Sequence, residues 1–228
     1  MAKSPGGTKA EATPDPRTHI LDSFLALLGE RPFDQIALGD VATRAGVSLS
    51  DLRASYGSTF DMLASFIRAT DQKVLAGEGG DMDDQPARDR LFDVLMRRLD
   101  ALAPYKPAIR SLSASVRRSP SLAMGLNRLS VRSQQWMLAS AKIETPGLRG
   151  AVRAQGLALI FAKVLQTFVR DDDPGLARTM AALDRELDKG ERALGLLSTA
   201  CRLATCGGRK RRTPATPHDA TPDEPIAA

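Results

Sequence analysis

The sequence predicts an all-α protein, and three observations support this fold class. Apolar residues recur at helical spacing along most of the chain, in which 43% of the 228 residues are hydrophobic. Proline stands near the expected start of several helices in the second half, where a first helical turn tolerates it. No alternating strand pattern and no internal repeat competes with the helical periodicity.

Four helices are predicted in the first third of the chain. Gly46 can adopt the left-handed conformation that closes the second of them, and Ser48 can cap the third. The segment from Phe33 to Leu63 therefore has the pattern of a helix-turn-helix, with a small core of Ile36, Leu38, Val41, Ala42, Val47 and Leu52. The expected bounds are about Arg17 to Gly29, Leu38 to Ala45, Leu49 to Tyr56, and from the cap Ser58 to about Leu75.

The second half is predicted to contain six more helices. Four are expected to begin near Pro86, Pro107, Ser119-Pro120 and Thr145-Pro146, a fifth near Asp173-Pro174, and the last to span Glu191 to Leu203. The three carboxylates of residues 171–173 are interpreted as a cap for the fifth helix, with magnesium binding as the alternative.

Composition divides the chain into five parts. We expect a disordered arm (1–16), a helix-turn-helix domain (17–70), an acidic, Gly-rich connection (71–87), a helical domain (88–206) and a disordered tail (207–228). The N-terminus lacks a secretory signal, no apolar run is long enough to span a bilayer, and the two cysteines lie too close together on a helix to pair. A cytoplasmic location is expected.

The net charge of +5 is distributed unevenly. Residues 17–70 hold five Arg and six acids, whereas residues 88–153 hold thirteen Lys or Arg and four acids. The basic surface is thus expected in the second domain.

The sequence contains few residues that could take part in catalysis or bind a metal ion. The chain has two histidines, no Gly-rich phosphate loop and no metal-ligand spacing. We therefore expect no enzyme, no metal and no cofactor.

The N-terminal motifs resemble a known family. The succession F-D-x-I, V-A-x-x-A-G-V-S, L-x-x-x-Y and M-L within residues 17–67 is similar to the DNA-binding domain of the TetR/AcrR family. The resemblance implies an all-α, homodimeric transcriptional repressor. Its N-terminal three-helix domain would bind a double-stranded DNA operator, and its C-terminal helical domain would bind a small apolar ligand and form the dimer.

The resemblance also implies which residues meet DNA. Ala37 lies where the family usually has Thr or Ser, Arg53 where it has a phosphate-contacting Tyr, Tyr56 where it has Phe, and Thr59 where it has Lys. Asp51 adds a negative charge to the third predicted helix. Its carboxylate can stabilise the first turn of this helix or accept a hydrogen bond from a cytosine amino group. The full set expected at the DNA is Ala37, Arg44, Ser48, Leu49, Ser50, Asp51, Arg53, Ala54, Tyr56 and Thr59.

Two further surfaces are predicted in the second domain. The only tryptophan could line a ligand pocket, with ordinary core packing as the alternative; the candidate set is Phe92, Met96, Trp136, Phe161 and Leu165. The helix after Pro146 is apolar on more than one face, which favours dimerisation. The candidate interface, on this helix and the next, is Leu148, Leu159, Phe168, Met180 and Leu183.

An alternative hypothesis comes from residues 171–187, D-D-D-P-G-L-A-R-T-M-A-A-L-D-R-E-L. They are similar to a segment of TetR-fold accessory proteins of ubiquinone biosynthesis. In this alternative the chain binds lipid or quinone, has lost sequence-specific DNA binding, and meets an anionic membrane surface. The arginines considered for that surface are Arg97, Arg98, Arg110, Arg117, Arg118, Arg128 and Arg132.

Overall fold

The computed structural model describes residues 15–77, 84–144 and 146–206, with residues 196–206 described by their backbone alone. Within these ranges there are nine α-helices, two single 3-10 turns and no β-strand, so the predicted all-α class is confirmed. The helices are α1 (Pro16–Glu30), α2 (Leu38–Ala45), α3 (Leu49–Ser55), α4 (Thr59–Ala76), α5 (Ala87–Leu102), α6 (Lys106–Val116), α7 (Pro120–Ser140), α8 (Gly147–Phe168) and α9 (Ala177–Cys206).

Some predicted segments fall outside the described residues: nearly all of the arm, most of the acidic connection and the tail. The described chain divides into one compact unit that ends at Gly190 and a second that begins at Glu191. All contacts given below lie within the first unit.

Serine side chains cap the starts of α3, α4 and α7, where the sequence predicts these helices to begin. Ser58 accepts a hydrogen bond from the Asp61 amide at 3.1 Å, and Ser119 accepts one from the Leu122 amide at 3.3 Å. Pro16, Pro107 and Pro120 occupy first-turn positions, where no amide hydrogen is needed. The bounds of α1 to α4 and the starts of α5 to α8 agree with the sequence within a few residues.

The C-terminal helix differs from the prediction. Two helices were expected after residue 173, but α9 runs without interruption from Ala177 to Cys206. Gly190 is helical, and a Cβ atom at this position would lie 2.7 Å from Cδ1 of Ile160 on α8. This glycine permits close packing of two helices instead of ending one, which explains why the prediction was wrong.

The carboxylates before α9 act as caps, as the sequence predicts. Asp173 accepts hydrogen bonds from the amides of Gly175 and Ala177, both at 3.2 Å. Asp171 is buried and accepts from the Thr179 amide at 2.8 Å and the Thr179 hydroxyl at 2.7 Å. Lys106 on α6 donates to the carbonyl oxygen of Asp171 at 2.6 Å, which ties this turn to the core.

Helices α1 and α6 pack against each other. The chain between α1 and α2 is fixed by two hydrogen bonds to α6. The amide of Phe33 donates to the hydroxyl of Ser115 at 3.1 Å, and the hydroxyl of Ser111 donates to the carbonyl of Arg31 at 2.9 Å. These two hydrogen bonds fix the position of α6 relative to the segment that leads into α2.

A buried polar cluster lies where α4, α5, α7 and α8 meet. The carboxylate of Asp71 on α4 pairs with the guanidinium of Arg98 on α5 and accepts a hydrogen bond from the Ser133 hydroxyl on α7 at 2.7 Å. The Arg98 guanidinium lies 5.3 Å from the ring centroid of Phe161 on α8. This cluster connects α4, which follows the helix-turn-helix, to the centre of the second domain.

Candidate functional site

The turn between α2 and α3 has the geometry that the sequence predicts. Gly46 adopts the left-handed conformation, with φ of 62°, and the Val47 amide donates to the carbonyl of Ala42 at 3.0 Å. Ser48 accepts from the Asp51 amide at 3.1 Å, and the Asp51 carboxylate accepts from the Ser48 amide at 3.3 Å. This reciprocal capping box fixes the direction in which α3 leaves the turn.

The small core beneath the turn is largely as expected. Ile36, Val41, Ala42 and Leu52 are buried, and Val47 is half-buried. Leu38 is the exception, because it is 41% exposed at the first position of α2.

The outer face of α3 is open to solvent. Leu49 is 61% exposed, and the guanidinium of Arg53 has no hydrogen bond or salt bridge in the described part of the chain. The exposed residues of the predicted DNA set are Ala37, Arg44, Ser48, Leu49, Ser50, Asp51, Arg53 and Ala54, and Thr59 is half-buried at the start of α4. A ligand that approaches α3 would thus meet short polar side chains and one free guanidinium.

Tyr56 corrects the predicted set, because it does not belong to this face. Its ring is buried, its hydroxyl donates to the carbonyl of Arg17 at 3.0 Å, and the Arg17 guanidinium lies 4.7 Å from the ring centroid. Burial raises the pKa of the Tyr56 hydroxyl. Tyr56 therefore joins the end of α3 to the start of α1 and is a packing residue.

Arg44 is exposed but already paired. Its guanidinium donates to both carboxylate oxygens of Glu30, at 3.0 and 2.6 Å. These hydrogen bonds lower the pKa of Glu30 and raise the pKa of Arg44. Helical periodicity does not predict this pair, because the two residues lie on different helices.

The structure places the predicted pocket residues in different surroundings. Phe92 and Met96 line an open pocket of about 430 Å³ together with Arg88, Asp89, Asp93 and Asp184. Phe161 is buried beside Arg98, and Leu165 is half-buried at the edge of the core. Trp136 is 56% exposed on α7, so its predicted place in a pocket is wrong.

The predicted dimer residues divide into two groups. Leu148 is 82% exposed, Leu159 is 60% exposed, and Met180 is 38% exposed. Phe168 and Leu183 are fully buried in the core of their own chain, so the prediction that they lie in the dimer interface is wrong.

Three of the arginines considered for a lipid surface have internal partners. Arg98 pairs with Asp71, and Arg110 donates to the carbonyl of Val169. Arg97 donates to the carbonyls of Val74 and Gly77 at the end of α4, at 3.2 and 2.8 Å. Arg117, Arg118, Arg128 and Arg132 remain exposed.

Other kinds of site are not found in the described ranges. No group of three or more His, Cys, Asp or Glu residues there could hold a metal ion. None of the helices described is long and apolar enough to cross a membrane.

The fold and the turn define a class of protein with an N-terminal helix-turn-helix on an all-α body. No protein-family model and no curated protein matches the sequence. Among solved structures, a TetR transcriptional regulator from Nitrosomonas europaea is similar, with a TM-score of 0.61 and 22% identity over 78% of this chain and 99% of that one. A TetR regulator from Rhodococcus has a TM-score of 0.53 and 19% identity over 79% and 97%. The chain has the TetR fold, as the N-terminal motifs predict.

Proposed function

We propose that the chain is a homodimeric, ligand-responsive transcription regulator, a repressor, that binds double-stranded operator DNA through α3. The observation that carries this proposal is the exposed face of α3, which a capping box and a left-handed glycine hold away from the body of the molecule. A helix presented in this way can enter a major groove. The unpaired guanidinium of Arg53 supplies a donor for phosphate or guanine.

A route from the second domain to α4 supports regulation by a small ligand with apolar surface. Asp93 lines the open pocket beside Phe92 and Met96, and its carboxylate accepts from Arg97 at 3.0 Å. Arg97 in turn holds the last carbonyls of α4, the helix that follows α3. Suppose that α5 can adopt two placements and that the ligand binds one of them more tightly. Ligand binding would then favour that placement, shift α4 through Arg97 and change the separation of the two α3 helices in the dimer.

Replacing Arg53 by alanine is expected to weaken binding to the DNA upstream of the gene by roughly tenfold, because one guanidinium contact to a base or phosphate is lost. Fluorescence anisotropy with labelled duplex at fixed salt measures this change. Arg68→Ala is the matched control, since Arg68 is also exposed but lies about 14 Å along α4 from Thr59. Equal loss in both variants, or no preference for that duplex over unrelated DNA, would refute the proposed role of α3.

The dimer is expected to form through exposed apolar residues of α8 and α9, because burial between two chains removes them from water. The double variant Leu148→Asp/Leu159→Asp should therefore have the mass of one chain in light scattering, whereas the wild type has the mass of two. The control variant Met124→Asp replaces an exposed apolar residue of α7 by a carboxylate and should leave the dimer intact. A monomeric wild type, or a dimeric double variant, would contradict this interface.

A further inference from the structure

The outer face of α7 carries exposed apolar and cationic side chains in one row. Met124, Arg128, Arg132 and Trp136 follow at intervals of four residues, and all four are exposed. Met124 is 62% exposed and Trp136 is 56% exposed, although both could bury their apolar surface in a core. We call these four residues the α7 row.

The segment of the sequence that contains the α7 row carries cations but no acids. No Asp or Glu occurs between Asp100 and Glu144, and Arg117 and Arg118 are exposed in the turn before α7. In the part of the chain that the structure describes, the guanidinium groups of Arg117, Arg118, Arg128 and Arg132 have neither a hydrogen bond nor a salt bridge. Four uncompensated positive charges therefore border one helix face.

This face differs from the apolar face proposed for the dimer. Asn127 and Gln155 exchange two hydrogen bonds, at 3.1 and 3.0 Å, and so mark the side of α7 that meets α8. Trp136 follows Asn127 by about two and a half helical turns and thus lies on the opposite side of α7. Trp136 therefore points away from α8, the helix that carries Leu148 and Leu159.

We propose that the α7 row docks on the surface of an anionic phospholipid bilayer. An indole prefers the boundary between headgroups and acyl chains, and arginine can extend its guanidinium to phosphate while its methylenes lie against lipid. Anionic headgroups attract the four arginines over a range of about a Debye length. A nucleic acid would satisfy the arginines, but it offers no apolar layer for Met124 and Trp136.

Membrane docking does not depend on DNA binding, because α3 and the α7 row share no residue. The two proposals can therefore fail separately: the Arg53→Ala variant tests one, and vesicle binding tests the other.

Trp136 is the only tryptophan of the chain, so its fluorescence reports on this face directly. The full-length protein is titrated with vesicles of phosphatidylglycerol and phosphatidylcholine, and in parallel with vesicles of phosphatidylcholine alone. We expect a blue shift of the emission with the anionic vesicles only. Acyl chains brominated near the headgroup should quench the emission as well.

Neutralising two arginines of the row, in the variant Arg128→Gln/Arg132→Gln, is expected to lower the partition coefficient on the order of 25-fold, at about fivefold for each cation. The matched control is Arg149→Gln/Arg170→Gln, which removes the same charge from two other exposed positions. The control should lose less than about threefold, because these arginines lie outside the row.

Several outcomes would overturn the proposal. Vesicle association without a change in Trp136 emission would assign the binding to another segment, such as the basic residues 209–212. Equal losses of vesicle binding in the two double variants would show that the binding depends on net charge and not on the α7 row. An equal blue shift of the Trp136 emission with vesicles of phosphatidylcholine alone would show that the arginines do not contribute to binding. A blue shift with duplex DNA or RNA instead of vesicles would make the row a nucleic-acid surface.

Discussion

Arg98→Leu is expected to destabilise the protein by about 3–5 kcal/mol, because it leaves the buried carboxylate of Asp71 without its cationic partner. Only the hydroxyl of Ser133 would still donate to that carboxylate. Urea unfolding followed by circular dichroism measures the change in the free energy of unfolding. Arg118→Leu, at an exposed position, should change it by less than about 0.5 kcal/mol.

The second variant of this series removes both charges. Asp71→Leu/Arg98→Leu is expected to recover most of the lost stability, since a buried ion pair can be replaced by apolar side chains at little cost. The Nε atom of Arg98 has no hydrogen-bond partner in the native structure, which lowers the contribution of the ion pair to the free energy of unfolding. A single variant as stable as the wild type, or a double variant no better than the single, would contradict this account.

Asp171→Asn is expected to cost on the order of 2–3 kcal/mol at neutral pH, because the two donors of Thr179 lose a charged acceptor. Although burial opposes ionisation, these hydrogen bonds keep the pKa of Asp171 below its ordinary value. A carboxyl group with a lowered pKa in the folded state stabilises fully above the unfolded pKa of about 3.9, and this contribution is lost as the pH falls through the folded value.

The pH dependence therefore has a definite sign. The stability difference between wild type and Asp171→Asn should be constant from pH 7 to about pH 5 and should shrink below about pH 4. Thermal unfolding at several pH values measures it. Asp172→Asn is the control, since Asp172 is exposed and accepts none of the cap hydrogen bonds. A difference that grows on acidification would be incompatible with the proposed role.

Local chemistry explains why the helices could be predicted well. Ser48, Ser58 and Ser119 each stand before an apolar repeat and cap it, so the start of the helix follows from a few neighbouring residues. Gly190 shows the limit of this argument, because its role depends on Ile160 of another helix. A glycine that allows close packing and a glycine that ends a helix have the same sequence signal.

The site residues depend more on tertiary packing, and here the sequence was less informative. Periodicity predicts that α8 has apolar residues on two faces, but it does not tell which face the rest of the chain covers. The structure buries Phe168 and leaves Leu148 exposed. Tyr56 was assigned to DNA by resemblance, whereas its position depends on a hydrogen bond to Arg17, far away in the sequence. The TetR fold and most of the small core beneath the turn were predictable; the side of α8 that faces the core and the position of Tyr56 were not.

The pair formed by Arg44 and Glu30 has a consequence for how salt would affect DNA binding. A cation that neutralises a phosphate releases a condensed counterion, and each such event adds about 0.9 to the slope of log affinity against log salt concentration. Arg44 already carries an internal counterion in the carboxylate of Glu30. As long as Arg44 stays paired with Glu30, its charge is balanced within the protein and it displaces no counterion from the phosphates. The salt dependence would therefore report Arg53 and hide Arg44.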